Sequence, residues 1–148
     1  MKISTKGRYG VRILLDLALH EGNAPRLIRD ISESQQISEK YISRLIIALR
    51  RANMVRSIRG AKGGFRLARN PAELTLLDIV EVMEGPVAIV DCVRSPEKCG
   101  RNDQCATRAV WDCLNSEIRE AMRKVTLADI IENYRKRNAE DGIFDYCI

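Results

Sequence analysis

Three of the chain's five cysteines fall in one stretch, Asp91 to Cys105 (DCVRSPEKCGRNDQC), separated by six and then five residues with Pro, Gly, Asn and Asp between them. Thiolates are soft ligands, and a loop of this length can curl three sulfurs around one soft metal centre. Zinc sites ordinarily include a pair at Cys-x-x-Cys distance, and no such pair occurs here. Three thiols also fall one short of a four-ligand site. Unpaired structural cysteine is normally packed among apolar side chains, so three in a polar loop read as ligands: Cys92, Cys99 and Cys105 are the candidate metal and cofactor set. Cys113 reads as a packed helix residue and Cys147 as a free thiol.

The rest of the chain must position that loop and supply a task for it. With 148 residues, 45% hydrophobic and 30% charged, it has the apolar content for a core and does not have the composition of a disordered chain. The N-terminal apolar run VRILLDLAL is broken by Arg12 and Asp16, which argues against a secretory signal or a spanning helix. An odd cysteine count and the absence of a signal point to the cytoplasm, where thiols stay reduced. The net charge of +5 hides an asymmetry: residues 1–70 carry fifteen Lys and Arg against five Asp and Glu, whereas residues 71–148 carry ten against fifteen. A basic half joined to an acidic half suits a protein that meets a polyanion at one end.

In the basic half, Val11, Leu14, Leu15 and Ala18 repeat at helical spacing over Arg8 to His20, with Gly22 as a stop. His20, the only histidine, lies in the last turn, where it can cap carbonyls. A short second helix follows from Leu27 to Gln35, turning Leu27, Ile28 and Ile31 inward, and a tight break at Gln36 and Ile37 separates it from a third. Ser38 is a natural N-cap, and Ile42, Leu45, Ile46 and Leu49 form one stripe over Glu39 to Ala52. Lys40, Ser43 and Arg44 share the opposite face with Tyr41 beside them, which is what a helix-turn-helix needs for the major groove. Met54 to Ile58 and Phe65 to Ala68 read as strands around the turn GAKGG, with Arg59 and Lys62 at its tip. A cationic hairpin after a recognition-type helix is a winged helix. The glycine turn lacks the GxxxxGK[ST] phosphate-loop pattern and leads into a strand, so nucleotide hydrolysis has little support.

Asn70 and Pro71 close this module, giving a winged region over 1–70, a helix, thiol loop and dimerisation helices over 71–137, and a loose tail over 138–148. Thr75 caps a helix to Glu84, which Gly85 and Pro86 stop. From Ala106 to Val125 a long helix carries Val110, Leu114, Ile118, Ala121 and Val125 in one stripe, widened by Trp111 and Met122. So broad an apolar face on an edge helix predicts a homodimer interface. Thr126 then caps a last helix to about Arg137. The fold expected is mainly α, a winged helix-turn-helix with a small two-stranded wing and a long C-terminal dimerisation helix. No enzyme is expected: there is no Cys-x-x-Cys and no Cys/His pair at recognisable spacing, and neither a small-molecule substrate nor a membrane is implied.

The opening MKISTKGRYGVRILLDLA, the stretch ISEKYISRLIIALRRANMVRSIRGAKGGFRLAR, the three-cysteine loop and CATRAVW together resemble the IscR-type iron–sulfur regulators, relatives of the NsrR nitric-oxide sensors and the CymR repressors. The resemblance reaches to about Arg137 and implies a homodimeric, DNA-binding transcription regulator. It also implies a [2Fe–2S] cluster on Cys92, Cys99 and Cys105 and control of iron–sulfur biogenesis genes. Ser43 and Arg44 match its base-reading positions, and Arg59 its wing arginine. The candidate DNA contacts are Lys2, Ser38, Lys40, Tyr41, Ser43, Arg44, Arg59 and Lys62. The alternative, by likeness to CymR, is a cluster-free repressor answering to a protein partner or thiol oxidation. In four respects the chain departs from the pattern. Its first cysteine gap is six residues rather than five, Arg108 stands where the IscR type has its histidine ligand, Arg8 stands where NsrR relatives have an acidic one, and Ser43 replaces an acidic residue. A guanidinium stays protonated and cannot ligate. Asp91, Glu97, Asp103, Cys113, His20 of a neighbour, or an exogenous thiol or water remain open as the fourth ligand.

Overall fold

A computed structural model describes residues 2–101 and 104–144, with side chains up to residue 139. Seven helices and one hairpin follow in order: α1 (Thr5–Leu19), α2 (Ile28–Gln35), α3 (Glu39–Arg51), β1 (Val55–Ile58), β2 (Gly64–Leu67), α4 (Leu76–Glu84), α5 (Asp91–Arg94), α6 (Arg108–Lys124) and α7 (Leu127–Phe144). The fold is therefore mainly helical with a two-stranded antiparallel wing, paired from Val55 opposite Leu67 to Ile58 opposite Gly64.

Helix α1 starts at Thr5, three residues before the expected Arg8, because two groups satisfy its free amides. Ser4 Oγ accepts from Lys6 N at 3.1 Å, and Glu84 Oε1, reaching over from the end of α4, accepts from Ser4 N at 2.8 Å and Gly7 N at 3.1 Å. Such close approach requires glycine: a Cβ on Gly7 would lie 2.3 Å from Glu84 Oε1, and one on Gly10 2.7 Å from Met83 Cγ. At its other end His20 caps rather than extends the helix, its Nδ1 lying 2.8 Å from the Asp16 carbonyl.

The core runs through Ile13, Leu14 and Leu17 of α1, Ile31 of α2, and the α3 stripe Ile42, Leu45, Ile46 and Leu49, and continues without a break into Leu74, Ile79, Met83, Leu127 and Ile131. Helices α4 and α7 therefore share the winged helix's interior. A pair of backbone bonds, Leu76 N to Val125 O and Leu127 N to Leu74 O, both 2.8 Å, pins the starts of these two helices together. Each carries a capping box, Thr75 with Asp78 and Thr126 with Asp129. The Thr126 hydroxyl and amide hold the Asp129 carboxyl below its ordinary range.

Inside this core lies a charge. Asp16, 1% exposed, accepts from Arg26 Nε at 3.0 Å and Arg26 Nη2 at 3.3 Å, from Gln35 Nε2 at 3.3 Å, and from the Ser34 hydroxyl. The backbone of Arg26 in turn pairs with β2, Arg26 N to Phe65 O at 3.0 Å and Phe65 N to Arg26 O at 2.8 Å. Gly64 permits it, since a Cβ there would meet the Arg26 carbonyl oxygen at 2.6 Å.

Several expectations are corrected. Leu27 is the N-cap of α2 and 45% exposed, not turned inward, because the helix begins only after it. Ser38 occupies the N-cap position of α3 but makes no capping bond with its side chain. The strands are Val55–Ile58 and Gly64–Leu67, one residue from where they were expected, because Gly64 pairs with Ile58 while Met54 N bonds back to Leu49 O at the end of α3. Helix α7 passes the expected end at Arg137 and reaches Phe144, through Asn138 and Ala139, where nothing breaks the pattern. The stripe on α6 is divided: Ile118 and Met122 pack against α4, while Val110 (55% exposed) and Leu114 (46%) face away from it.

Removing one partner of a buried ion pair strands the other's charge, so Asp16→Ala should lower unfolding free energy by about 3–5 kcal/mol. Arg29→Ala, which breaks only the exposed Arg29–Glu33 pair, should cost less than about 0.5 kcal/mol. Urea titrations of both variants check the contrast.

Candidate nucleic-acid interface and thiol loop

The orientation of α3 is set by the turn before it. Gln36 takes a left-handed conformation (φ 53°, ψ 45°), Ile37 is buried, and the Ser32 hydroxyl donates to the Ile37 carbonyl at 2.7 Å. Arg12 locks the preceding residue: its Nε donates to Gln35 Oε1 at 3.2 Å and its Nη2 to the Gln35 carbonyl, while its guanidinium lies 5.2 Å from the Tyr9 ring centroid. Tyr9 meets Tyr41 edge-on at 5.9 Å. Tyr41, expected to contact DNA, is thus half-buried and uses its ring to brace α3 against α1.

The outer face of α3 carries the remaining candidates. Ser38, Lys40 and Arg44 are exposed, and Ser43 is partly covered. The Ser43 hydroxyl donates to the Glu39 carbonyl at 2.8 Å, which occupies its hydrogen and leaves its lone pairs free to accept. Arg59 and Lys62 stand exposed at the tip of the wing. There the turn closes with Gly63 N to Gly60 O at 2.9 Å, and a Cβ on Gly63 would strike the Ile58 carbonyl oxygen at 2.4 Å. Among the described residues none of Lys40, Arg44, Arg59 or Lys62 takes part in an ion pair, whereas Arg26, Arg69, Arg108 and Arg119 each have a carboxylate partner. Cations left unpaired on one helix face and one hairpin tip are suited to phosphates and base edges. Lys2 stands apart from this set, lining a hollow with Glu84, Pro86 and Arg94.

The thiol loop is anchored at its start. Ile89 N donates to the buried Asn115 Oδ1 at 3.1 Å, Val87 N donates to Glu81 Oε1 at 2.9 Å, and Arg119 of α6 pairs with the same Glu81 carboxylate. Beyond Val87 no described residue is buried until Asn115. Cys92, on the short α5, and Cys99, after a 3-10 turn at Pro96–Lys98, line one open hollow with Arg94 and Lys98. Cys105 lies outside that lining, its Sγ 3.4 Å from the Thr107 hydroxyl, whose hydrogen bond draws the thiol below its ordinary pKa. Among the described residues no three metal-capable side chains converge. The donors are nonetheless the soft set that iron–sulfur chemistry uses, all partly accessible, and the cations Arg94 and Lys98 share the hollow of Cys92 and Cys99. Arg108 is held by Asp112 at 3.3 Å, and Asp103 lies outside the described residues, as does Cys147. Cys113, expected to be packed in its helix, is exposed instead, because the face of α6 turned to α4 is taken by Asn115, Ile118 and Met122.

Sequence reasoning missed the residues that do the positioning. In the sequence Asp16 reads only as an interruption of an apolar run and Glu84 as a residue before a helix stop, and Asn115 carries no signal except that of a polar residue on the inner side of an apolar helix stripe. No helix among the described residues is long and apolar enough to cross a membrane.

A family model described as "Rrf2: Iron-dependent Transcriptional regulator" matches residues 3–133. The chain is 38% identical over 130 residues to the HTH-type transcriptional regulator CymR of Bacillus subtilis, covering 88% of this chain and 89% of that one. The solved structure of CymR, the global cysteine regulator of B. subtilis, superposes with a TM-score of 0.77 at 35% identity, covering 90% of this chain and 98% of that one. IscR of T. potens superposes with a TM-score of 0.73 at 37% identity, covering 90% and 88%. These relatives are DNA-binding regulators rather than enzymes, and likeness of this extent on a shared winged-helix fold leads to one conclusion: the chain belongs to the Rrf2 family of transcriptional regulators.

Proposed function

We propose that this regulator is a homodimeric sensor of iron–sulfur status whose thiol loop alters operator binding. The observation that carries the reading is the loop's construction: three partly accessible thiols on a segment none of whose described residues beyond Val87 is buried, fastened through Ile89 to α6 and through Val87 to α4. A segment so built takes its conformation from whatever its side chains bind. Cys92, Cys99 and Cys105 would hold a [2Fe–2S] cluster, which when bound supplies iron–thiolate bonds and visible absorption. An incomplete protein ligand set suits a labile, reporting site.

What the chain does with a loop so ordered follows from its neighbours. Gly85 and Pro86 join the loop to Glu84, and Glu84 accepts from the first amides of α1. On its other side the loop is tied to α6, whose Val110 and Leu114 offer the apolar face we assign to the second copy. Reordering would shift α6 against α4 and reset the distance between two recognition helices on an operator of two half-sites. Ser43 and Arg44 would meet bases, Lys40 and Lys62 phosphates, and Arg59 a minor groove. Such a protein works in the cytoplasm, where thiols are reduced. A cluster-free repressor like CymR is the second reading, favoured by the failure of the three thiols to converge among the described residues.

Anaerobically isolated protein should contain iron and sulfide and show visible absorption bands, and Cys92→Ala should lose the bands while remaining a folded dimer. Colourless, metal-free wild-type protein that still binds promoter DNA would favour the second reading. Arg59→Ala should weaken operator binding at fixed salt and lower the salt dependence by the loss of about one cationic charge from the interface, with unchanged thermal unfolding, since a wing-tip arginine supports no core. Titrations by fluorescence anisotropy over a range of salt concentrations measure both quantities.

A further inference from the structure

The outer face of α3 holds Lys40, Ser43, Arg44, Ile47 and Arg51 at helical spacing. Four of these are polar or cationic, and the fifth is an isoleucine that is 49% exposed. Ile47 is not an incompletely covered member of the core, because α3 buries Ile42, Leu45, Ile46 and Leu49 on its other side. It forms one wall of an open hollow of about 510 Å³ between the end of α3 and β1, together with Arg50, Arg51, Arg56 and Ser57. No carboxylate lines that hollow, and among the described residues none of its three arginines is ion-paired. The hollow has two aliphatic side chains, Val55, which is buried, and Ile47, which is exposed, and three free guanidinium groups around the exposed one call for a polyanion with an apolar feature on it.

Duplex DNA is the occupant that also fits the neighbouring residues. Ile47 lies one turn beyond Ser43 on the same face, so a helix seated in the major groove to present Ser43 and Arg44 presents Ile47 as well. The apolar feature on the floor of that groove is the 5-methyl group of thymine. We propose that Ile47 reads sequence by packing against a thymine methyl, while Arg50, Arg51 and Arg56 hold the phosphates beside it. The inference rests on α3 being the major-groove helix and adds to it a contact of a different kind, apolar rather than hydrogen-bonded.

A double-mutant cycle isolates that contact. Full-length wild-type protein is used to enrich binding sequences from a random duplex pool, and in one enriched duplex each thymine is replaced singly by deoxyuridine, which removes only the methyl. Affinities are measured for wild type, Ile47→Ala and Ile47→Val at one salt concentration, with thermal unfolding as a check on fold. At one position per half-site, loss of the methyl should weaken wild type about threefold to tenfold, the scale of one buried methyl or a little more, and leave Ile47→Ala unaffected. Ile47→Val, still branched and apolar, should keep the methyl dependence. If deoxyuridine costs wild type and Ile47→Ala equally at every position, or costs neither, the hollow serves another occupant, such as an acidic protein segment, and the inference is overturned. If no sequence is enriched at all, the assignment of α3 as a base reader is overturned and this inference with it.

Discussion

A single buried charge pair holds the winged-helix half together. Asp16 is enclosed in the core, where a carboxylate without partners is costly, and four donor groups from Arg26, Ser34 and Gln35 satisfy its oxygens there. Those residues belong to the loop before α2 and to α2 itself, and the backbone of Arg26 continues into the wing through Phe65. One carboxylate therefore fixes α1, α2 and β2 to each other. Arg12 extends the same arrangement to the turn before α3. In the proposed reading α3 and the wing therefore act as one unit, and what varies on DNA is the placement of one such unit relative to a second.

That constraint gives the C-terminal half its role. Gly7 and Gly10 let α4 approach α1 so closely that Glu84 serves as the cap of α1, and the core is continuous from Ile13 to Leu127 and Ile131. Helix α6 is attached more lightly, through Asn115, Arg119 and a small cluster around Leu77, Val80 and Met122. The thiol loop joins the firmly held α4 to the lightly held α6. In the proposed mechanism a change in the loop moves α6, and with it the second copy, more readily than it deforms either reader.

Much of this was legible beforehand, and the reasons differ by element. The stripes of α3 and α4, the caps Thr75 and Thr126, and the glycine turn of the wing are local signals carried by nearby residues, and the structure has each of them. Boundaries differ where a residue elsewhere in the chain decides them: Glu84 sets the start of α1, and the pairing of Ile58 with Gly64 sets the start of β2. The thiols were found by composition, yet their grouping into one hollow of two with Cys105 apart depends on α5 and a 3-10 turn that four-residue stretches do not announce. Ile47 is not legible from helical periodicity, which marks the buried stripe of α3, whereas Ile47 is the apolar residue on the polar side.

The coupling between thiol loop and reader is tested most directly by the affinity of one protein preparation for one operator duplex, measured anaerobically at constant salt before and after a chelator strips its iron. The proposed linkage predicts a change of about tenfold or more, within the usual range of coupling between two sites. Equal affinity of the iron-loaded and stripped forms would contradict it.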